Sequence, residues 1–437
     1  MKQQFFKYVL QNIAGMIGVS FYILADTFFI SLYSGADGIT ILNLALPVYG
    51  LIFAIGAMVG IGSATRYAIR KAQGKKDIDT YFTNAVLWDL LLSIPFMLLG
   101  IFAPEQVLQV MGADAQIMEL GKSYVRIFLM FTPFFMINYI FTAFARNDNA
   151  PTIAMLGSLA GSLSNIVFDY VFMFPMNLGL TGAALATAAS PVITILICSI
   201  HYLGKNNTIP FRWKLPSVKQ LFSCCQLGVS AFVGEVSSAV TTAVFNLLIL
   251  GIAGNIGVAA YGIVANLSLV AMAIFNGIAQ GTQPLISGCY GRGEKKEVGQ
   301  LIRLAMGTAL LVEAILLGGV WGFTDVLTGI FNSEGDQILQ AYAHHGMQLY
   351  FLGYLFAGVN IMLISYFSAT DRGKQAFSTS ILRGVVAIAG CAVMMAKLWG
   401  LDGVWLSFLA AEFITSVVIL LICCRSLYSA AGSGENT

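Results

Sequence analysis

GKNNTIPFRWKLPSVKQ, residues 204–220, is the longest polar interruption in an otherwise apolar chain. It falls at the middle of 437 residues, and its reading organises everything on either side. A helix that crosses a bilayer needs about 20 mostly apolar residues. Six stretches before the interruption meet that need, beginning near Tyr8, Ile39, Tyr81, Tyr124, Thr152 and Thr181. Six follow it, beginning near Leu221, Gly257, Gly299, His344, Phe377 and Asp402. Hydrophobic residues make up 58% of the chain and charged residues 10%. A soluble domain carries roughly 25% charge. The composition therefore excludes a soluble enzyme, a nucleic-acid binder and a disordered protein. Outer-membrane strands alternate and give no long apolar runs, so an all-α integral membrane protein remains.

The short breaks between spans carry the charge: GKKD at 74–77, GRGEKKE at 291–297, TDRGK at 370–374. With the N-terminus placed in the cytoplasm, all but Lys122, Arg126 and Lys397 of the 23 Lys and Arg fall on the inner side. That is a strong positive-inside bias. It implies an inner (cytoplasmic) membrane protein with twelve spans and both termini cytoplasmic. The basic-then-apolar N-terminus lacks a small-residue cleavage site and reads as a retained first span. The expected units are an N-terminal six-helix bundle at 1–204, a cytoplasmic linker at 205–220, a C-terminal bundle at 221–425 and a polar tail at 426–437.

The halves repeat. GSAT at 62–65 leading to Gly74 matches GTQP at 281–284 leading to Gly293. FARNDN at 144–149 matches FSATDR at 367–372, and GLTG at 179–182 matches GLDG at 400–403. The separation is nearly constant. Each copy holds an even number of spans, so the copies enter the membrane in the same sense. Two parallel bundles around a cavity is a transporter layout.

Acids inside membrane helices are costly and usually face a functional cavity. Asp26 lies inside the first span and Asp169 inside the fifth. Asn165 precedes Asp169 by one helical turn and shares its face, and Thr187 in the sixth span adds a hydroxyl. Carboxylate, amide and hydroxyl oxygens are the ligands a hard cation wants. Two close carboxylates cannot both ionise freely, so the same site suits a proton. The candidate ion-binding set, and the metal set if the ion is Na⁺, is therefore Asp26, Asn165, Asp169 and Thr187. Glu235 in the seventh span is the second half's main buried acid, a coupling or substrate acid. Glu313 and Glu412 are expected to pair with neighbours, and Arg126 and Asp89 to sit at span boundaries. Pro47, Pro191 and Pro284 interrupt spans and would bend them. His344 and His345 open the tenth span beside an acidic outer loop (Asp325, Glu334, Asp336). The seven Cys lack metal-ligand spacing and read as small buried hydrophobes.

No GxxxxGK[ST] loop, HExxH pair or exposed Ser/His/Asp set occurs. The reading is of a non-enzyme without cofactor, driven by a Na⁺ or H⁺ gradient or by the substrate's own. Expected partners are the lipid bilayer and small amphipathic organic substrates, with no nucleic acid. The chain is expected to act as a monomer.

ADTFFISLYSG at 25–35, SNIVFDYVFMFPMNLGLTGAALATAAS at 164–190 and GEVSSAV at 234–240 together resemble the multidrug and toxic compound extrusion (MATE) family over nearly the whole length. The resemblance implies two six-helix bundles in a V, alternately open to each side, and a cation-coupled exporter of amphipathic, cationic drugs or toxic compounds. It implies an N-terminal-bundle ion site at Asp26, Asn165, Asp169 and Thr187. It also places Glu235 where other members carry a coupling acid. The tenth span lacks the acid some members carry there, which favours the N-terminal site. The alternative is a lipid-linked precursor or metabolite flippase or exporter of the same superfamily, whose cavity should be more basic.

Overall fold

The structure, a computed structural model, describes residues 1–331 and 336–432. Glu334 and the end of the expected tail, 433–437, lie outside the described residues. No strand occurs among them. The spans are α1 (Lys2–Gly35), α2 (Asp37–Ala72), α3 (Tyr81–Phe102), a bent α4 (Ala115–Met130 and Thr132–Asn147), α5 (Pro151–Met173) and α6 (Gly179–Leu203). Helix runs unbroken in hydrogen bonding over Val218–Gly291, 74 residues. At roughly 1.5 Å per residue that is far more than one bilayer crossing. Gly254 breaks it into α7 (218–253) and α8 (255–291), as Gly400 breaks the second long run, Gly373–Cys423, into α11 (373–399) and α12 (401–423). Between them lie α9 (Lys295–Gly329) and a bent α10 (Gln337–Phe351 and Tyr354–Ala369). With each long run divided at its glycine and each bent pair taken as one, the described residues hold twelve helices of crossing length.

The repeat is written in the backbone. Gly35 and Gly254, at matching turns of the two halves, have φ of 56° and 65°. Gly74 and Gly293, and Gly179 and Gly400, likewise share positive φ. A side chain disfavours that conformation, so glycine is required at these reversals.

Two starts differ from expectation. α4 begins at Ala115, not Tyr124, with Asp114 capping the Ile117 amide at 2.9 Å. Its first half bears Glu119, Lys122 and Arg126, which masked it in a hydropathy reading. α10 begins at Gln337, so His344 and His345 lie within it and face Asp325 (3.4 Å) and Asp402 (2.9 Å). The bend of 43° in α4 has a local cause. Pro133 has no N–H for the Leu129 carbonyl, and the Thr132 hydroxyl donates to that carbonyl instead, at 2.8 Å. Cys198, Cys224, Cys289 and Cys391 are buried as expected.

The two bundles approach most closely along α1 against α8 and α2 against α7, toward the end that carries the basic loops. Glycines permit the approach. A Cβ on Gly277 would lie 2.6 Å from Ile13, and one on Gly281 2.8 Å from Val9. Gly228 abuts the Met58 carbonyl and Gly62 the Cys224 carbonyl more closely still. Toward the opposite end, Gly50, Gly251 and Gly262 have nothing near them. The glycine-mediated approaches between the bundles thus gather toward the basic end. There the bundles are clasped by Arg66 of α2, which pairs with Asp371 beyond α10 at 2.6 Å and donates to the Ser223 carbonyl of α7.

The mid-chain segment is docked on the first bundle. Ser217 N–H donates to Asn84 Oδ1 at 2.7 Å, Arg212 pairs with Asp79 at 2.9 Å, and Thr83 donates to the Arg212 carbonyl at 2.8 Å. Asp148 anchors its start. Its buried carboxylate accepts from Lys71 (3.0 Å), from the Thr208 amide (2.9 Å) and from the Thr208 hydroxyl, and contacts His201 Nε2 at 2.9 Å.

Candidate functional site

Deep in the first bundle, α1 supplies Asp26, α5 supplies Asn165 and Asp169, and α6 supplies Thr187; all four are buried. The one-turn spacing on α5 puts Asn165 and Asp169 on one face, as the sequence predicts. The Asn165 amide reaches the Thr187 hydroxyl at 3.4 Å. With its oxygen and nitrogen exchanged, the same amide donates to Asp169 Oδ2 at 3.2 Å and accepts from the Thr187 N–H at 3.3 Å. Asp26 and Asp169 lie within electrostatic reach of each other. Asp26 Oδ1, Asp169 Oδ1 and the Ser162 hydroxyl are buried without a hydrogen-bond partner among the described residues.

Unsatisfied carboxylate oxygens in a low-dielectric interior are expensive. Converging from two helices, oxygens of this kind are able to take up a proton or to ligate a small cation. The structure thus brings the four predicted residues together. No group of three or more His, Cys, Asp or Glu placed to hold a metal ion occurs among the described residues.

Aromatic residues that the sequence did not single out ring the site. Tyr22 lies one turn before Asp26 on α1 and is within electrostatic reach of Asp26, Asp169 and Glu235. Tyr49 of α2 packs on Phe128 of α4 with ring centroids 3.5 Å apart, and Tyr124 is beside it at 6.3 Å. Only the proximity of Tyr22 to Asp26 could have been read from spacing. Glu235 is not part of the four-residue site. It lies on α7, half-buried, and the Tyr139 hydroxyl of α4 reaches its Oε1 at 3.5 Å across the cleft.

Other expectations are corrected. Asp89 is not a boundary residue; it is fully buried within α3 with both oxygens unpartnered among the described residues. Arg383, counted on the inner side, lies inside α11 and pairs with Glu412 of α12 at 2.7 Å. Glu412 therefore pairs as expected, whereas Glu313 meets backbone only.

These features agree with what the chain resembles. The MatE family model matches residues 13–171 and 230–393, one match in each half. The multidrug export protein MepA of Staphylococcus saprophyticus is 30% identical over 414 residues, covering 94% of this chain and 90% of that one. MepA of Staphylococcus aureus strain MRSA252 is 28% identical over 408 residues, 92% and 88% of the two chains. A solved structure described as the outward-facing conformation of a multidrug resistance MATE family transporter superposes with a TM-score of 0.91, at 21% identity over 98% of this chain and 96% of that one. Two matched halves and a relative of this identity along nearly the full length lead to one conclusion: the chain belongs to the MATE family and is a multi-pass membrane transporter.

Proposed function

We propose that the protein is a cation-coupled antiporter that exports amphipathic, positively charged organic compounds from the cytoplasm, working as a monomer. The observation that carries this reading is the pair of buried carboxylates, Asp26 and Asp169, with an orphaned oxygen on each. Na⁺ or H⁺ entering from outside completes that pair, held by Asn165 and Thr187. Loading neutralises Asp26 on α1 and favours a repacked α1. That change narrows the space beside α1 and expels the substrate outward. The ion drives transport only if it binds the two facing states unequally. The export of many drugs by MepA supports the substrate class, and aromatic walls favour cations.

In this reading the basic end is cytoplasmic, both termini lie there, and the membrane is the inner one. The bundles span 1–204 and 221–425, joined by 205–220 and followed by a tail from 426. The state described is open to the outside, and inward opening requires release of the Arg66–Asp371 clasp. Glu235 attracts the substrate's positive charge from the second bundle.

The test is efflux of a fluorescent organic cation from proteoliposomes under an imposed Na⁺ or H⁺ gradient in turn. Asp26→Asn should abolish gradient-driven efflux while the protein stays inserted and monodisperse. Wild-type efflux by that variant would overturn the assignment.

A further inference from the structure

The second bundle holds a polar centre that the N-terminal site does not use. Glu313 of α9 is 2% exposed. Its Oε1 accepts from the Val359 N–H of α10 at 3.3 Å. A Cβ on Gly358 would lie 2.5 Å from that oxygen and 2.5 Å from the Phe275 ring, so glycine leaves the gap through which the carboxyl reaches the α10 backbone. Its Oε2 is buried and has no hydrogen-bond partner among the described residues.

The neighbouring charge is already committed. Arg383 donates to Glu412 through Nε at 3.0 Å and pairs through Nη2 at 2.7 Å. Asn360 of α10 donates to Glu412 Oε2 at 2.7 Å and accepts from Ser416 at 2.8 Å. Arg383 reaches inward from a wide turn of α11, Leu382–Ala387, with i→i+5 geometry. Such turns recur where helices carry functional side chains. Among the described residues Glu412 of α12 lies within electrostatic reach of Glu313 and α8 presents Phe275 beside it; Glu412 and its partner Arg383 of α11 lie in turn within reach of Tyr350 and Tyr354 of α10. Tyr354 shares a 2.7 Å hydroxyl–hydroxyl hydrogen bond with Ser268.

We infer that Glu313, seated in the gap left by Gly358 and flanked by the committed Arg383–Glu412 pair, is a second proton-binding site, in the C-terminal bundle. One guanidinium cannot balance two carboxylates, and an uncompensated charge in hydrocarbon is disfavoured. A proton on Oε2 makes the centre neutral. Sodium needs several oxygens at once, and the free oxygen here is one. This goes beyond the proposed coupling at Asp26, since it assigns a protonatable group to the other half.

The experiment uses the full chain in lipid nanodiscs. Infrared difference spectra between neutral and alkaline pH read the carbonyl band of buried carboxylic acids. Glu313→Gln should lose one such band and release one proton fewer per chain on alkalinisation. Asp26→Asn and Glu235→Gln should keep that band, so failure of the N-terminal reading leaves this result intact. Gly358→Ala, which keeps the acid but pushes it off the Val359 N–H, should shift the same band; it decides the matter if Glu313→Gln does not fold. A full set of bands in Glu313→Gln, or an unshifted set in Gly358→Ala, overturns the inference.

Discussion

Arg66 and Asp371 join the two bundles by an ion pair of 2.6 Å at the basic end, and the same guanidinium also holds the Ser223 carbonyl of α7. Asp371 is the repeat counterpart of Asp148, which stays within its own bundle and holds Lys71. One acid of the repeat thus closes its bundle's end, and the other closes the gap between bundles. Half-exposed pairs are worth about 1 kcal/mol or less. Asp371→Asn should therefore shift the balance toward opening of the basic end by up to about fivefold. Labelling of a cysteine introduced at Ser63 would report it; unchanged labelling would show the pair to be incidental.

Asn165 and Thr187 present neutral oxygens beside the two acids. Losing one neutral hydrogen-bonding ligand costs about 1 kcal/mol. Thr187→Val and Asn165→Ala should each raise the ion concentration for half-maximal efflux several-fold without the total loss expected of Asp26→Asn. Kinetics against Na⁺ and against H⁺ would separate the two ions, because a proton needs fewer ligands than sodium.

Gly228 touches the Met58 carbonyl so closely that a methyl group has no room. Neither helix backbone can yield cheaply in a packed interior. Gly228→Ala should hold the basic ends apart and lower efflux at least tenfold. Gly262→Ala, where nothing lies near, should leave efflux unchanged. Equal effects of the two substitutions would refute the packing argument.

Burial by itself would raise the Asp148 carboxyl, but hydrogen bonds from Thr208, Lys71 and His201 outweigh it and hold the group below its usual value of 3.8. Its stabilisation is thus complete above the unfolded carboxylate range and disappears as pH falls through the lower folded value. Thermal unfolding of the wild type should show no loss from this anchor between neutral pH and about pH 5. Asp148→Asn should cost about 2 kcal/mol at neutral pH, because Lys71 and Thr208 lose a charged hydrogen-bond acceptor. A variant as stable as the wild type would show the anchor to be dispensable.

The crossings were legible because apolar length alone defines them. The residues of the proposed ion site could be singled out because Asn165 and Asp169 sit one turn apart and acids are rare in hydrocarbon. What stayed hidden was non-local or charged. α4 starts among Glu119, Lys122 and Arg126, which a hydropathy reading assigns to a loop. Arg383 was counted on the inner side although it lies within its span; its partner Glu412 is one span away, and nothing in sequence shows the pair. Asp89 lies close to the start of α3, where an acid normally reaches water, and only packing reveals its burial. The tyrosines around Asp26 come from α1, α2 and α4 and meet only in space.

The strapping of residues 208–217 to α3 has a mechanical corollary. Hydrogen bonds at Asn84, Asp79 and Thr83 fasten this segment to the first bundle up to Ser217. Any rocking between halves must then be taken up where α7 starts, within a turn or two of Ser217. The segment rides as a passenger on one half, and its tryptophan, Trp213, serves as a fixed reference against which the swing of the other half can be gauged.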